Sequence, residues 1–441
     1  SVNASLADSR MGLLRGSWRS FALAIVAVAA GSSWVLFRGI DRAPFHGDES
    51  GWISSGMYYS ELLLAGDFSR DKWECGGCKT WGALNGHVGK LLIGASYLTC
   101  DASHPCVFNG YYDFFKSFEE NQQRGQVPPE SVLRRGRYSA AIAGVMCCVL
   151  AFAIGYTVGE PKLLLGLLCA GLVLSTPIFR LFANRAMADA FYNSLLLTQL
   201  LAAMAIVKSG DTRNMVRHLA IAGILTGLTA SVKPSGFLLG VPLFTVVAAY
   251  RLGIGEGYKR TENGRAFFFS VTTFVITTLV VTYALNPTFW PSGLSDMWRL
   301  LGFPQVLLAW DRYMAFEDVG LGLGEWNGYH LVDIHRSIFV EYSNAGVNVL
   351  FLLGLALSTR RCLISMRRGA ADVCFVPVAY FLGNYALLIC FLRLNWDRYY
   401  LPVEISMRVI AAIGIAGLAA IPWQRAVSAH SSGPATTEVF R

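Results

Sequence analysis

The chain has 441 residues, of which 54% are apolar and only 15% are charged, and its mean hydropathy is +0.44. That balance excludes an ordinary soluble globular protein of this length and indicates an integral membrane protein. The formal net charge of +8 reflects basic residues that anchor membrane segments, so it gives no reason to expect nucleic acid as a partner.

Ten apolar segments approach the length of about 20 residues that a helix needs to cross a bilayer. We predict membrane helices at 19–38, 139–157, 162–179, 190–207, 217–232, 236–251, 266–285, 344–358, 372–392 and 401–421. Several are short enough to contain breaks or re-entrant turns. The prediction is an all-α integral membrane protein with a transmembrane domain at 19–421. A cytoplasmic N-terminus at 1–18 precedes it, the first span is an uncleaved anchor, and a disordered cytoplasmic tail follows at 422–441.

Basic residues predict the orientation of these helices. The connections near 208–217, 251–265 and 359–371 carry three, four and four Lys or Arg residues, which marks them as cytoplasmic. Two long loops, roughly 39–138 and 286–343, then lie on the extracytoplasmic side. The expected location is the inner or plasma membrane of a bacterium, or the endoplasmic reticulum of a eukaryote.

An adjacent acidic pair, Asp48 and Glu49, opens the first long loop just beyond the first predicted span. A positioned carboxylate there can take a proton from an incoming hydroxyl. Two acids in a loop are equally explained by solvation, so the pair gains a functional meaning only from its context.

Two aromatic stretches of the same loop, 52–64 and 107–118, fit helices that lie in the membrane interface. The loop also contains four cysteines: Cys75, Cys78, Cys100 and Cys106. An even number of cysteines in an oxidising compartment favours one or two structural disulfides, and the sequence leaves their pairing open. A zinc site or a redox centre is the alternative.

Three motifs follow one another in the first loop: the acidic pair, the tripeptide Gly66-Asp67-Phe68, and a run from His87 through Lys90 to Ala95. In this order they resemble the protein O-mannosyltransferase and aminoarabinose-transferase group of GT-C glycosyltransferases. Val88 stands where that group usually has Pro-Pro. The resemblance implies a multi-span enzyme that uses a sugar carried on polyprenyl or dolichyl phosphate.

Three later segments extend the resemblance. They are 183–190 with Arg185 and Asp189, 231–236 with Lys233, and 395–403 with Arg398, Tyr399 and Tyr400. A carboxylate at a helix start is also explained by the helix dipole, a lysine at a helix end by snorkelling, and an Arg-Tyr pair by interfacial anchoring. All of these residues nevertheless fall on the same predicted side of the membrane as Asp48.

The resemblance implies a GT-C fold and an inverting glycosyl transfer on the extracytoplasmic face, to a hydroxyl of a protein, lipid or glycan. Asp48 would be the general base, with Glu49 and Asp189 orienting the acceptor or the sugar. Lys233, Arg398, Arg185 and Lys90 would bind the donor phosphate. His87, Tyr399 and Tyr400 would contact the acceptor or the sugar.

Two other functions fit a membrane protein of this kind. A transporter or flippase of a lipid-linked or anionic solute would place polar groups through the bilayer midplane, whereas here ionisable residues crowd one end of the predicted spans. An assembly factor without catalysis would tolerate replacement of Asp48. The trio His330, Asp333 and His335 is a weak metal signal, and we expect no metal there. Whether the transferase uses a divalent metal ion stays open.

Overall fold

The computed structural model describes residues 2–73, 86–98, 108–209, 214–254, 260–290, 332, 334–391 and 397–431. Throughout these ranges the regular structure is helical. The α-helices are α1 Val2–Gly39, α2 Gly47–Leu64, α3 Arg70–Trp73, α4 His87–Gly94, α5 Phe118–Gln123, α6 Glu130–Val158, α7 Lys162–Ser175, α8 Pro177–Ala183, α9 Asp189–Lys208, α10 Met215–Ala230, α11 Ser235–Ile254, α12 Arg260–Ala284, α13 Ala345–Arg367, α14 Phe375–Phe391 and α15 Leu401–Ser431. A π-helical turn at Ser337–Glu341 precedes α13.

Each of the ten predicted membrane segments contains a helix or, for the third, a pair of helices, which confirms an all-α, multi-pass integral membrane protein. Seven of the described helices are long and apolar enough to cross a bilayer: α1, α6, α9, α11, α12, α13 and α15. The third predicted segment is instead a broken pair, α7 and α8, bent by 73°. Helices α10 and α14 are shorter, with 16 and 17 residues.

The bend between α7 and α8 has a local cause. Thr176 precedes Pro177, and a residue before proline is disfavoured in the helical conformation. Thr176 accordingly has φ −69° and ψ 118°. Its hydroxyl donates to the carbonyl oxygen of Leu172 at 2.9 Å, so this buried side chain remains hydrogen-bonded at the break.

Glycines allow two of the long helices to pack backbone to backbone. A Cβ added at Gly354 of α13 would lie 1.9 Å from the carbonyl oxygen of Ile410 in α15. One added at Gly414 of α15 would lie 2.2 Å from the carbonyl oxygen of Leu350. Small residues drive helix association in membranes by permitting this close approach, and here they fix α13 against α15.

Connections from distant parts of the chain gather at one end of the bundle, which we call the loop end. The amide of Val88 donates to the carbonyl oxygen of Ser231 at 3.0 Å, and the side-chain amide of Asn286 donates to the hydroxyl of Ser231 at 2.9 Å. The connection after α1, the α10–α11 turn and the residues after α12 therefore lie together.

The first loop differs in two respects from its predicted interfacial helices. Most of α2 is buried inside the protein, and residues 108–117 are not helical. Polar side chains explain the second difference, since the amide of Asn121 accepts from the backbone N–H of Asp113 and donates to the carbonyl oxygens of Asp113 and Ser117. These bonds replace those of a helix.

Several other predictions fall at or beyond the described ranges. The first and last helices are longer than predicted, because α1 begins at Val2 and α15 continues to Ser431. The four cysteines of the first loop, together with His330 and Asp333, lie outside the described residues.

Candidate functional site

The acidic pair forms the first turn of α2. His46 is the N-cap residue, and its Nδ1 accepts from the backbone N–H of Asp48 at 3.2 Å. Burial lowers the pKa of His46, and the nearby Arg185 and Arg398 lower it further against the opposing effects of Asp48 and Glu49. A neutral imidazole suits this arrangement, because the capping bond requires a free nitrogen lone pair.

Glu49 is completely buried and has partners at both carboxylate oxygens. Arg137 of α6 donates to it from Nε and Nη2, each at 2.8 Å, in a bidentate pair. The backbone N–H groups of Ala186 and His46 donate to the same carboxylate at 2.8 and 3.0 Å. Glu49 thus joins the start of α2 to α6 and to the turn before α9.

Arg137 extends this connection to the end of α1. Its Nη1 donates to the carbonyl oxygens of Ile40 and Ala43, at 2.9 and 2.8 Å. All three guanidinium nitrogens are engaged, and only 4% of the residue is exposed. The pair of Glu49 and Arg137 therefore fixes the orientation of α2, from whose first turn Asp48 projects.

Asp48 forms an ion pair with Arg398, a residue 350 positions later in the chain. The Asp48 side chain is 8% exposed and that of Arg398 is 14% exposed. Burial lowers the pKa of Arg398, but the combined effects of Asp48, Tyr399 and Asp189 outweigh burial and leave this pKa above its ordinary value. The structure thus brings together two predicted site residues from opposite ends of the chain, with Asp189 nearby.

Asp189 and Lys233 form a second carboxylate–cation pair. The Lys233 Nζ lies 2.5 Å from Oδ1 of Asp189, and the ammonium sits 5.6 Å from the centre of the Tyr192 ring. Oδ2 of Asp189 is buried and has no hydrogen-bond partner in the part of the chain that the structure describes. A buried carboxylate oxygen without a donor is costly, so this atom is a candidate for contact with a ligand.

Arg185 interacts electrostatically with the buried Glu49–Arg137 pair and with Asp189. It precedes the backbone amide that donates to Glu49, and its Nε donates to the carbonyl oxygen of Pro44 at 3.4 Å. Burial lowers the pKa of Arg185, while the charges of Glu49, Asp397 and Asp189 act in the opposite direction. Five predicted charged residues therefore belong to one cluster at the loop end: Asp48, Arg185, Asp189, Lys233 and Arg398.

His87 and Lys90 lie deeper, on α4. His87 is buried, its backbone N–H donates to Oδ1 of Asn286 at 3.0 Å, and its Nε2 pairs with the Thr288 hydroxyl at 3.0 Å. Lys90 is completely buried with its ammonium 5.1 Å from the Tyr59 ring centre. Burial lowers the pKa of Lys90 to about 7. The structure thus places these two predicted site residues against aromatic rings and the residues that follow α12.

The two tyrosines after Arg398 have different surroundings. Tyr399 is partly exposed, and its ring centre lies 5.4 Å from the Arg398 guanidinium. Tyr400 is completely buried, and its ring packs against Tyr342 with centroids 5.4 Å apart. In this arrangement Tyr399 borders the cluster, whereas Tyr400 belongs to the core behind it.

Helix α15 contains a buried ion pair that was not predicted from the sequence. Glu404 and Arg408 are 0% and 4% exposed and lie 3.0 Å apart, one helical turn from each other. The Arg408 guanidinium also donates to the Thr176 hydroxyl at the α7–α8 break, and to the Ser343 hydroxyl and the Tyr342 carbonyl. Opposite charges at i and i+4 within an apolar run were the available signal.

Arg408 is linked to the site through Tyr342. The Tyr342 hydroxyl donates to Asp397, which immediately precedes Arg398. The Arg408 bond to the Tyr342 carbonyl is 3.0 Å long. The position of Arg398 therefore depends on a hydrogen-bonded chain that begins inside a membrane helix.

Metal ligation has no support within the described ranges, where no three His, Cys, Asp or Glu side chains cluster closely enough to hold an ion. His335 instead contacts the hydroxyl of Tyr385. What the cluster does offer is two carboxylates, each paired with a cation. A carboxylate released from its partner can accept a proton, and a released cation can bind an anion.

Solved structures with a similar fold come from the archaeon Archaeoglobus fulgidus. One is the oligosaccharyltransferase AglB in complex with an inhibitory peptide and a dolichol-phosphate, with a TM-score of 0.51 at 11% identity, covering 93% of this chain and 52% of that one. The apo form of the oligosaccharyltransferase gives 0.51 at 12% identity over the same shares. A complex with Zn and sulfate gives 0.46 at 11% identity, covering 91% and 51%.

The first two likenesses show the fold, which is that of a GT-C-like membrane protein. The chain spans about half the length of these structures. No protein-family model and no curated protein matches the sequence. The protein is therefore a multi-pass, all-helical membrane protein of GT-C-like fold with a charged cluster at its loop end.

Proposed function

We propose that this protein is a glycosyltransferase that moves a sugar from a polyprenyl-phosphate carrier to an acceptor hydroxyl. The observation that carries the proposal is the pairing of Asp48 with Arg398 and of Asp189 with Lys233 at the loop end of a GT-C-like fold. In each pair the carboxylate suits proton transfer or sugar binding, and the cation suits binding of a phosphate.

The proposed reaction is a single displacement that inverts the anomeric carbon. The acceptor hydroxyl gives its proton to the Asp48 carboxylate while its oxygen forms a bond to that carbon. The bond between the anomeric carbon and the phosphate oxygen breaks, and the phosphate leaves with the electron pair. Arg398 and Lys233 stabilise the charge that develops on this leaving group.

This chemistry requires the ion pairs to exchange partners. Arg398 and Lys233 are held by Asp48 and Asp189, so neither carboxylate is fully available as a base or a sugar ligand. A lipid phosphate attracts both cations and frees both acids. We therefore propose that the donor binds before the acceptor hydroxyl is deprotonated.

The remaining predicted residues receive roles that fit their surroundings. Glu49 has both oxygens engaged, so we propose that it positions Asp48 through Arg137 rather than contacting the acceptor. Arg185 adds positive charge beside the donor phosphate. Tyr399 remains a candidate for contact with the sugar or the acceptor.

His87 and Lys90 have a mainly supporting role in the proposed site. His87 and Lys90 support the α10–α11 turn that carries Lys233, since Val88 between them bonds to Ser231. Lys90 would add charge at the donor phosphate only when protonated, and its pKa of about 7 makes the protonated fraction fall as the pH rises through neutrality. Tyr400 supports Arg398 from the core.

The proposed substrates follow from the fold likeness together with the cluster. AglB is described with a dolichol-phosphate and an inhibitory peptide, which supports a carrier-lipid donor and leaves protein, lipid and glycan as acceptor classes. We assign the loop end to the extracytoplasmic side, because the basic connections lie at the other end. Membership of the O-mannosyltransferase and aminoarabinose-transferase group is part of the proposal.

The test is transfer of radiolabelled sugar from a panel of polyprenyl-phosphate sugars by the purified protein in detergent, with and without EDTA. Transfer from one donor that inverts the anomeric configuration supports the proposal. Loss of transfer with EDTA and its return with Mg²⁺ or Mn²⁺ would add a divalent metal ion to the reaction. If every donor stays intact, the enzyme proposal fails.

One observation favours a second candidate, a flippase of lipid-linked sugars. The buried pair Glu404 and Arg408 lies within the span of α15, and ionisable groups inside membrane helices often mark a solute pathway. A flippase moves a lipid-linked sugar across reconstituted vesicles without chemical change, whereas the proposed enzyme consumes it.

A further inference from the structure

A groove lies beside the candidate site, between the end of α1 and helix α8. Its volume is about 460 Å³, within the usual range of about 300–1,000 Å³ for small-molecule sites. Its walls combine apolar side chains, which include Trp34 and Leu181, with three arginines: Arg38, Arg42 and Arg180. We call it the arginine groove.

The three arginines have positive charge that nothing in the described part of the chain neutralises. The groove lining contains no carboxylate. The neighbouring Asp41 pairs with Arg134 at 3.3 Å, and none of the three arginines forms an ion pair with another described residue. Arg38 is held by stacking, with its guanidinium 3.4 Å from the centre of the Trp34 ring.

A buried amide supplies an independent indication of a ligand. Asn184 lines the groove with 5% of its surface exposed, and its Oδ1 has no hydrogen-bond partner among the described residues. Buried side-chain polar atoms are normally satisfied. The amide carries an acceptor and a donor end, so it can bond either a protonated or an ionised oxygen of a phosphate.

The depth of the groove points to a lipid headgroup. The apolar segment formed by α1 and the 3₁₀ turn Ile40–Arg42 runs over 25 residues from Trp18 to Arg42, about 37 Å at 1.5 Å per residue, whereas the hydrocarbon core is about 30 Å thick. Arg42 therefore lies at headgroup level, with Arg38 one turn deeper at the edge of the core. The exposed Trp34 ring, one turn deeper, provides an apolar surface for a lipid chain.

The groove shares a wall with the candidate site. The segment 40–44 presents carbonyl oxygens to Arg137 and Arg185 on its site side, while Arg38 and Arg42 line the groove on the other. The opposite wall also borders both the groove and the site, because Asn184 lines the groove and the adjacent Arg185 belongs to the cluster. A molecule in the groove is thus separated from the cluster by one layer of backbone.

We propose that the arginine groove binds the phosphate headgroup of an anionic membrane lipid. The carrier-lipid donor belongs to this chemical class, so the groove provides a docking position for the donor beside the site; this last step rests on the proposed function. Positive-inside anchoring does not account for these arginines, because they lie at the loop end, opposite the basic connections.

The test is binding of phosphatidic acid to the full chain in phosphatidylcholine nanodiscs, counted by native mass spectrometry. Each arginine near a membrane surface contributes about fivefold to the affinity for an anionic lipid. The double variant Arg38→Gln/Arg180→Gln is therefore expected to raise the Kd about 25-fold. The matched control, Arg360→Gln/Arg367→Gln at the other end of the bundle, should leave it within twofold.

Two outcomes overturn the inference. They are a groove variant that binds like the wild type, and equal competition by excess phosphatidylcholine or inorganic phosphate. Sugar transfer is measured separately on the same variants. If the groove binds lipid but no sugar is transferred, the proposed function is refuted and the lipid site in the groove is not. If the groove variant transfers sugar with an unchanged KM for the donor, the groove does not dock the donor.

Discussion

Replacement of Asp48 by Asn separates the two effects that its carboxylate has in the proposed reaction. The amide has almost the same shape, so the packing of the first turn of α2 is retained. It cannot take a proton from the acceptor, and it no longer neutralises Arg398. We therefore expect transfer to slow while the donor binds more tightly.

Both magnitudes follow from the geometry of the pair. Loss of a general base lowers a rate by about 10²- to 10⁴-fold. The bond between Asp48 and Arg398 is charge-assisted and only slightly exposed, and such bonds contribute about 1.5–3 kcal/mol. A donor phosphate that no longer has to displace Asp48 gains at least part of this energy, so we expect the donor Kd to fall about tenfold.

The assay combines steady-state transfer with direct binding of the polyprenyl-phosphate sugar. Asp41→Asn is the matched control, because Asp41 lies at the same end of the bundle in an exposed pair with Arg134. Its kcat and donor Kd should stay within twofold of the wild type. A kcat for Asp48→Asn within tenfold of the wild type would refute the assignment of the base, and weaker donor binding would refute the exchange of partners.

Two further predictions concern buried charges near the site. Arg137→Gln leaves the fully buried Glu49 without its cation, so we expect a loss of about 3–5 kcal/mol in unfolding free energy, measured by denaturant titration in detergent. Lys90→Met removes a buried ammonium whose pKa is lowered to about 7. Below pH 7 Lys90 is charged in both the folded and the unfolded wild type, so the folded state bears the full free-energy cost of burying the charge. As the pH rises from 7 towards 10.5, this cost disappears. The variant should therefore raise Tm at pH 6 and leave it nearly unchanged above pH 10.

Each of these predictions has its own control and contrary result. Arg134→Gln breaks the exposed pair with Asp41 and a contact with the Tyr138 ring 5.8 Å away, and should cost less than about 1 kcal/mol. Equal losses in Arg134→Gln and Arg137→Gln would show that the buried pair has no special importance. For Lys90, a stabilisation by Met that is the same at pH 6 and pH 10 would mean that improved packing, not removal of charge, is the cause.

The sequence predicted the membrane helices well because hydropathy acts over long segments. Where the structure differs from the predicted helices, local interactions are the cause. Pro177 breaks the third segment, and the side chain of Asn121 bonds backbone groups of Asp113 and Ser117 in the stretch 108–117, which is not helical. The proline could have been used in advance, but the partners of Asn121 depend on a fold that pattern reasoning does not supply.

The candidate site could be predicted in part. Short motifs and one orientation rule selected Asp48, Asp189, Lys233 and Arg398, and the structure brings these four together in two pairs. Their pairing spans up to 350 residues, so no spacing in the sequence reveals it. The same holds for Glu49 and its partner Arg137, which lie 88 residues apart.

The separation of Asp48 and Arg398 also bears on how the protein is made. Ribosomes add about 5–20 residues per second, so the 350 positions between the two residues take roughly 20–70 s to synthesise. During that interval Asp48 has been synthesised, while Arg398 does not yet exist. A nascent chain therefore holds this carboxylate without its partner until residue 398 is made, and a ribosome stalled before that point would leave a protein without the ion pair that joins α2 to the segment before α15.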